Sequence, residues 1–456
     1  MSSIETGVSA DTQPKPPEDL QMFAERLTRV MGNVNTKLQR DLTLKNRVAR
    51  RFSQREVADF VGVDKNYLIR LAKTEPSFPV GVVRGRERTF SPDEIMLIRA
   101  LIGSNPLQKR PHLFWRKPDE ELKVVVFGAQ KGGTGKSLSS AHFAQYLALT
   151  YGMRVGVIDS DPQGTASLYF ANEDLPLFKD DTPTLADFMG VDEPGQEQPT
   201  NHDAKTLNSF WQPTPWPGLR LLPGGANILS GDVALYFMRA TTRIHKVFSN
   251  ALKIWSDAYK PDTQPGDLRN SDGTFNMEKY EKALSETFDV IIVDQQPSIS
   301  LMQLNPLVSA DTLIIPQTMK GFDLSTLTTF ISVLRAYLET LTANDPDLHL
   351  GTGKHVVLPT IVQESNDKDT GQILDLYRRA PDLISQVWYS RSDAIANAAE
   401  EYKSIYEYQP PDSRRSSARS FLNNANAVND ALVKRVWPEL PSRGFAEVFI
   451  KEHWGE

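Results

Sequence analysis

Of the chain's 456 residues, 40% are apolar, which is enough for sizeable cores and excludes wholesale disorder. It contains no cysteine, which excludes disulfides, thiolate zinc sites, cysteine nucleophiles and iron–sulfur clusters. The sequence shows neither a run of 18 apolar residues nor a signal peptide, so we expect no membrane span and a cytoplasmic location.

Charge is unevenly distributed along the chain. The formal net charge is −6, but residues 1–116 carry 20 Lys and Arg against 13 Asp and Glu, a net charge of +7. The remaining residues therefore carry −13. A basic N-terminal part joined to an acidic body indicates that the N-terminal part meets a polyanion. Ordinary scatter of surface charge is the alternative.

Four segments precede the first long strand pattern. Residues 1–18 are polar and predict a disordered tail. Residues 19–43 repeat apolar side chains at helical spacing, which predicts a helix and a candidate dimerisation element. Residues 44–105 have the pattern of a compact helical unit, and the Pro- and charge-rich residues 106–121 predict a linker.

Residues 51–73 have the pattern of a helix-turn-helix. Ser53 and Glu56 predict a capping box, Gly62 a tight turn and Asp64 the N-cap of a second helix. The polar side chains of this second helix that remain for DNA are Lys65, Asn66, Arg70 and Lys73.

A basic β-hairpin is predicted after these helices, at residues 82–90, with the side chains of Arg84, Arg86 and Arg88. Helices and hairpin together predict a winged helix-turn-helix domain that places its second helix in the major groove. The alternative is a small helical dimerisation domain with solvated charges.

The strongest signal in the sequence is a strand that runs from Lys123 into a glycine-rich loop and then a helix. The glycines let backbone N–H groups surround a phosphate, and the helix N-terminus adds partial positive charge. Lys136 is expected to reach the β and γ phosphates, and the Ser137 hydroxyl to bind Mg²⁺. The residues predicted to hold the nucleotide are Gln130, Lys131, Gly132, Gly133, Thr134, Gly135, Lys136, Ser137 and Leu138.

Two further apolar runs end in acids and predict neighbouring strands. The run of residues 154–159 ends in Asp159, and Asp161 follows two residues later. The run of residues 288–294 ends in Asp294. All three acids are therefore expected at the carboxyl edge of the sheet. In such a site one acid holds Mg²⁺ and another orients or deprotonates the attacking water. We therefore predict Ser137, Asp294 and Asp161 as metal ligands and add Asp159 to the nucleotide site.

The alternation of strands and helices over residues 122–456 predicts an α/β fold. We expect the mostly parallel sheet of a P-loop NTPase with helices on both faces. The helical winged helix-turn-helix domain is expected to precede it. Further short strands are predicted at residues 312–316, 355–362 and 386–389. The polar stretches near residues 171–218 and 257–281 predict surface insertions.

These motifs resemble those of a known family. Lys131-Gly-Gly-Thr-Gly-Lys-Ser137 resembles the deviant Walker A box of the ParA/MinD ATPases, and Asp159-Ser-Asp161-Pro resembles their Walker A′ box. Asp294-Gln-Gln-Pro resembles their Walker B box, with Gln296 where the family has its first proline. Downstream, the sequences around Arg391 and before Trp437 resemble the RepA partition proteins of repABC-type plasmids.

The resemblance implies a plasmid partition ATPase that binds ATP, ADP and Mg²⁺ and forms a nucleotide-dependent homodimer. It implies that Lys131 crosses to the partner's phosphates, so that the catalytic residues are Lys131, Lys136 and Asp161, the last as water-activating acid. It also implies a ParB-like partner that stimulates weak hydrolysis, and a protein associated with the nucleoid. Longer members use their N-terminal domain to bind operator DNA and repress their own genes.

Nonspecific DNA binding is a second family property that the acidic body cannot provide through its net charge. It needs a local basic patch, for which we select Arg414, Arg415 and Arg419. Two other functions stay open: an ATP-gated transcription regulator without cargo transport, and a MinD-like positioning ATPase. The second is disfavoured, because the residues after Trp437 contain Pro438, Pro441 and Gly444 and predict no long basic amphipathic helix.

Overall fold

The computed structural model describes residues 18–27, 29, 50–85, 87–170, 182–238, 242–345, 348 and 354–455. The chain divides into two compact units, residues 1–47 and 48–456. The first contains helix α1 over residues 18–27, which begins one residue before the predicted helix of residues 19–43. Residues 1–17, most of the predicted tail, lie outside the described residues. No helix of the described residues is long and apolar enough to cross a membrane.

The second unit begins with short helices and a hairpin in the predicted order. They are β1 (Phe52–Ser53), α2 (Gln54–Val61), α3 (Lys65–Thr74), β2 (Val82–Arg84), β3 (Glu87–Phe90) and α4 (Pro92–Gly103). The three strands form one antiparallel sheet in the order β1-β3-β2. The assignment of this unit as a winged helix-turn-helix stays a prediction.

Local sequence sets the ends of these helices. Ser53 and Glu56 form the predicted capping box, and Gly62 ends α2 with a φ of 74°. Because φ is positive there, any other residue would strain the turn. Asp64 caps α3 by accepting from the Asn66 N–H. The buried faces of both helices then point to a shared core that includes Val57, Phe60, Leu68 and Leu71.

A seven-stranded sheet forms the body of the unit. Its order is β10-β9-β4-β8-β5-β7-β6, and all pairs are parallel except β6–β7. Its strands are β4 (Lys123–Phe127), β5 (Val155–Asp159), β6 (Gln212–Pro213), β7 (Leu219–Leu222), β8 (Val290–Asp294), β9 (Thr312–Thr318) and β10 (Val356–Thr360). The predicted α/β fold class is confirmed.

Helices cover both faces of this sheet. Along β4, Val124 and Val126 enter one hydrophobic core and Val125 and Phe127 the other, because side chains alternate along a strand. The helices of this part are α5 (Lys136–Tyr146), α6 (Leu185–Met189), α7 (Ala204–Ser209), α8 (Asn227–Met238), α9 (Val247–Ala258), α10 (Met277–Glu286), α11 (Leu301–Val308), α12 (Gly321–Asn344), α13 (Asp367–Arg379), α14 (Asp393–Glu400), α15 (Arg415–Val436) and α16 (Phe445–Trp454).

The strand prediction differs from the structure at two places. Residues 386–389 do not form a strand; nearby, only the isolated bridges Val357–Ile384 and Val362–Ser390 are present in this described region. Strand β7 was not predicted, because it follows directly on the polar stretch near residues 171–218. That stretch includes α6, α7 and β6, and residues 171–181 of it lie outside the described residues.

Arg99 joins the N-terminal helices to the sheet. It lies on α4, is fully buried, and donates hydrogen bonds to the carbonyls of Phe60 (2.6 Å), His112 (3.0 Å) and Leu149 (2.5 Å). In the predicted linker, Leu113 and Trp115 are buried as well, and the Trp115 indole donates to the Gly152 carbonyl at 2.8 Å. Residues 48–456 therefore pack as one unit, while the finer domain boundaries stay a prediction.

A buried ion pair ties the beginning of β5 to β8. The Arg154 guanidinium donates to Asp289 at 2.7 Å, and neither side chain is more than 2% exposed. Asp289 also accepts from the Arg154 and Arg116 backbone N–H groups, each at 2.7 Å. The carboxylate thus satisfies donors from two chain segments beside the sheet.

We predict that Asp289→Ala lowers the free energy of unfolding by about 3–5 kcal/mol, because it removes the nearer of the two carboxylates that pair with the buried Arg154 guanidinium, the other being Glu286 at 3.2 Å. Urea unfolding followed by tryptophan fluorescence measures this change. Asp257→Ala is the matched control, since Asp257 pairs with Lys253 on the surface and its loss should hardly move the midpoint. Equal midpoints for the two variants would contradict the prediction.

Candidate nucleotide site

The loop between β4 and α5 has the backbone of a phosphate-binding nest. Gly133 and Gly135 have φ values of 73° and 84°, and open space surrounds the position of a Cβ on Gly133. The N-terminus of α5 has no side-chain cap, so its N–H groups are available to an anion. Of the other predicted loop residues, Gln130 and Gly132 are exposed, Thr134 is buried, and Leu138 packs its side chain against the core.

Lys136 lies in this loop with its ammonium turned back over it. Nζ donates to the Lys131 carbonyl at 3.1 Å, and the side chain is largely buried. Burial lowers the pKa of Lys136, while Asp294 and Asp161 act to raise it. The cation and the two predicted acids therefore share one electrostatic environment.

Asp294 and Ser137 meet beneath the loop. The strand register places Asp294 of β8 opposite Phe127 of β4 and Asp159 of β5, which brings the two predicted acids to one edge of the sheet. The Ser137 hydroxyl donates to Asp294 Oδ2 at 2.7 Å. Burial, reinforced by the charge of Asp159, raises the pKa of Asp294 to about 8. A cation bound here would favour the ionised carboxylate of Asp294 and so offset the cost of burying its charge.

This pair suits Mg²⁺ better than a transition metal. Within the described part of the chain, no three His, Asp or Glu side chains come together closely enough to hold a metal ion. Mg²⁺ commonly uses one or two carboxylates and completes its shell with phosphate oxygens and waters. One hydroxyl and one carboxylate beside a phosphate loop fit that requirement.

The two acids after β5 differ in surroundings. Asp159 is fully buried, and its Oδ2 accepts from the Ser167 N–H and hydroxyl, each at 2.7 Å. Its Oδ1 accepts from the Asp161 N–H at 3.1 Å, and burial raises its pKa to about 6. Asp161 is half-buried, and its Oδ1 accepts from the Gln163 N–H at 2.9 Å. Asp159 thus organises the loop, while Asp161 is the acid that water can reach.

Lys131 pairs within its own chain. Its Nζ donates to Asp323 at the beginning of α12, and the Thr318 hydroxyl donates to the same carboxylate. The Asp323 side chain is 3% exposed, but that of Lys131 is 42% exposed. Lys131 can therefore leave this partner without disrupting the core. Sequence reasoning missed Asp323, because nothing in a 192-residue separation signals the contact.

The carboxyl end of β10 supports the loop from the other side. The Thr360 hydroxyl donates to the Thr134 carbonyl at 2.7 Å. Ile361 follows with a φ of 54°, which is strained for a β-branched residue. Neither contact was predicted, because no local pattern marks Thr360 or Ile361 as part of the site.

The predicted DNA-contacting residues fall on two surfaces. On α3 and the hairpin, those with described side chains are exposed: Lys65, Asn66, Arg70, Lys73 and Arg88. The side chain of Arg84 and the whole of Arg86 lie outside the described residues. On the other surface, Arg415 and Arg419 are exposed on α15, and Arg414 donates to Asn397 at 2.7 Å.

A glycine loop, its lysine and a hydroxyl–carboxylate pair at the carboxyl edge of a parallel sheet define a P-loop nucleotide-binding protein. Residues 125–347 match the model of the CobQ/CobB/MinD/ParA nucleotide binding domain. The chain thus carries a nucleotide-binding domain of the family that includes ParA and MinD, and the recognition made from its motifs is confirmed.

The chain is similar to two curated relatives and a solved structure over most of its length and of theirs. "Putative replication protein A" of Sinorhizobium fredii is 23% identical over 86% of this chain and 87% of its own length. Protein SopA of Escherichia coli K12 is 24% identical over 86% of this chain and 90% of its own. A solved structure titled "Partition Protein" shares the fold, with a TM-score of 0.51 and 16% identity over 87% of this chain and 99% of that one.

We predict that Lys136→Ala loses tight nucleotide binding, because it removes the main cation on the β and γ phosphates. Equilibrium binding of a fluorescent ATP analogue measures the affinity. Lys123→Ala is a matched control, since that lysine begins β4 at the opposite end of the strand. Affinity unchanged from wild type in Lys136→Ala would exclude the assignment of this loop.

Proposed function

We propose that this protein is a partition ATPase, which uses ATP hydrolysis as a timer for the segregation of a plasmid or replicon. ATP with Mg²⁺ closes two copies into a homodimer on nucleoid DNA, and a ParB-like partner stimulates hydrolysis and release. The observation that carries the proposal is the phosphate loop with its second lysine, Lys131, beside the Ser137–Asp294 pair.

The proposed catalytic roles follow from where each side chain lies. Lys136 neutralises the β and γ phosphates, and Ser137 and Asp294 hold Mg²⁺, with Asp161 at its water side. Asp161 activates the attacking water, because it is the more accessible of the two acids after β5. Lys131 leaves Asp323 and reaches the phosphates of the partner subunit. Cations supplied in trans typically raise phosphoryl-transfer rates by about 10³–10⁵ where an arginine does so.

Two DNA-binding modes are proposed for two surfaces. The exposed polar face of α3 reads the operator of the protein's own partition genes, and the hairpin contacts backbone phosphates. The exposed arginines of α15 contribute to ATP-dependent binding of random DNA. The acidic body opposes such binding overall, so the local clusters must supply it.

Of the alternatives, the ATP-gated regulator differs in one measurable respect, because a ParB-like protein and DNA would not accelerate its hydrolysis. A MinD-like membrane role has little support in the C-terminal segment. Helix α16 has ten residues, with Ala446 and Phe449 buried against the rest of the fold. Its Trp454 indole donates to the Gln386 carbonyl at 3.0 Å, so this helix is used in packing.

We predict that Asp161→Ala binds ATP and random DNA but does not hydrolyse ATP, since the nucleotide and metal contacts of Lys136, Ser137 and Asp294 remain. Phosphate release, with and without a ParB-like protein, measures the effect. Asp161→Asn should behave in the same way. If Asp161→Ala hydrolyses ATP at the wild-type rate, another acid activates the water. If a ParB-like protein and DNA do not stimulate hydrolysis by the wild-type protein, the ATP-gated regulator is favoured instead.

We predict that Arg70→Ala weakens binding to the DNA upstream of its own gene, by the roughly 1–3 kcal/mol of one good base contact. It should spare ATP-dependent binding to a random duplex, because Arg70 lies on the proposed recognition helix. Paired titrations, one duplex with ADP and the other with ATP, measure both. Equal weakening of both modes would show that α3 is not a separate reader.

A further inference from the structure

A groove of about 560 Å³ lies between α2, from the N-terminal helices, and α15, from the sheet-bearing body. We call it the α2–α15 groove. Its walls are rich in arginine and contain two acids, Glu56 and Asp59. The arginines are Arg50, Arg51, Arg55, Arg415 and Arg419. Charge in the groove is therefore positive, on a body whose net charge is negative.

Two of these arginines are used within the fold. Arg50 pairs with Glu56 at 2.5 Å, and Arg51 pairs with Glu94. Their side chains are only 18% and 17% exposed, so they form the wall rather than the rim. Arg55 on one side and Arg419 on the other are exposed.

Asp59 shows that the two sides converge. Burial raises the pKa of Asp59, while Arg55 on its own helix and Arg419 on α15 both act to lower it. Among the described residues, neither Arg55 nor Arg419 forms an ion pair within 4 Å. Two guanidinium groups from different elements therefore share one carboxylate at a distance and keep their donors available.

The geometry of α15 suits a string of phosphates. Arg415 and Arg419 are one turn apart, about 6 Å along the helix axis, and lie on one face. Arg415 is the first residue of this 22-residue helix, whose N-terminus has no side-chain cap. The partial positive charge of that end adds to the arginines.

The position of α2 indicates which polyanion enters. In a helix-turn-helix, the second helix lies in the major groove and the first crosses the DNA backbone. Arg55 lies on α2, the first helix of the predicted helix-turn-helix, and lines the groove opposite α15. A DNA strand crossed by α2 in this way would lie beside the groove. An acidic peptide would need no such alignment with a reading helix.

We propose that the α2–α15 groove binds the phosphate backbone of duplex DNA, with Arg55 and Arg419 as contacts shared by the operator and the random-DNA modes. This inference rests on the proposed function. It adds that the two modes are not independent surfaces: they differ in the base contacts of α3 but use one backbone site. Operator and random duplex should therefore compete for each subunit.

The test uses the full chain with ATP and Mg²⁺ and a random duplex, titrated at several salt concentrations. Arg55→Ala and Arg419→Ala should each weaken binding about 5- to 10-fold near 0.1 M salt and flatten the log–log salt slope by about 0.9, the value of one phosphate contact. Lys434→Ala is the matched control, an exposed lysine on the same helix about 22 Å from Arg419. It should bind like wild type.

A second variant guards against loss of binding through misfolding. Asp59→Asn removes the one exposed negative charge between the arginines and keeps the side-chain shape, so it should tighten binding to the random duplex. Asp59→Asn should also tighten binding to the DNA upstream of the protein's own gene. Arg55→Ala should weaken binding to that same DNA. A gain in both modes supports the shared groove.

The outcomes separate this inference from the function on which it rests. If wild type fails to bind random duplex with ATP, the proposed function itself fails. If wild type binds and Arg70→Ala is selective, but Arg55→Ala and Arg419→Ala bind like Lys434→Ala, only the groove is wrong. Equal losses in all three variants would indicate a net-charge effect and overturn the groove. Arginine-dependent binding of a polyglutamate peptide without any effect on duplex would assign the groove to an acidic protein.

Discussion

The position of β8 between β4 and β5 is the constraint on which the site depends. Because all three strands are parallel and in register, Phe127, Asp159 and Asp294 end at one edge of the sheet. The glycine loop that follows Phe127 then places Ser137 within hydrogen-bonding distance of Asp294. The buried Arg154–Asp289 pair fixes the other end of the same strands. Fold stability and phosphate chemistry thus rest on one set of strand pairings.

On the proposed function, the pairing of Lys131 with Asp323 would act as a switch beside this frame. A lysine that serves a partner's phosphates must first leave a carboxylate that the Thr318 hydroxyl also holds. Because the Lys131 side chain is exposed and only that of Asp323 is buried, breaking this pair would disturb little of the packing. Closing the dimer would then replace one anion by a more highly charged one, and the loss of the phosphate would restore the pair. Asp323 would thereby help to separate the closed dimer from the state that follows loss of the phosphate.

Much of the fold and of the site could be predicted because the signals were local. The capping box at Ser53, the glycine loop and the acids that end β5 and β8 each depend on a few neighbouring residues. What escaped prediction was set by tertiary packing. Strand β7 has only four residues beside a polar stretch, and residues 386–389 were read as a strand although they make only isolated bridges nearby.

The contacts that escaped prediction join distant segments. Thr360 supports Thr134 across 226 residues, and Asp323 meets Lys131 across 192. The groove between α2 and α15 likewise lies between two distant segments, and Arg99 helps to join the N-terminal helices to the rest of the fold. One sequence carries no pattern for such pairings, since each partner by itself is an ordinary polar residue.

The central claim is that ATP brings two copies together through Lys131. Light scattering of the full chain, with ATP and Mg²⁺ or with ADP, measures the mass directly. The account predicts a dimer with ATP and a monomer with ADP for wild type, and a monomer in both for Lys131→Ala, although that variant still binds ATP. A Lys131→Ala protein that forms the dimer with ATP as wild type does would contradict it.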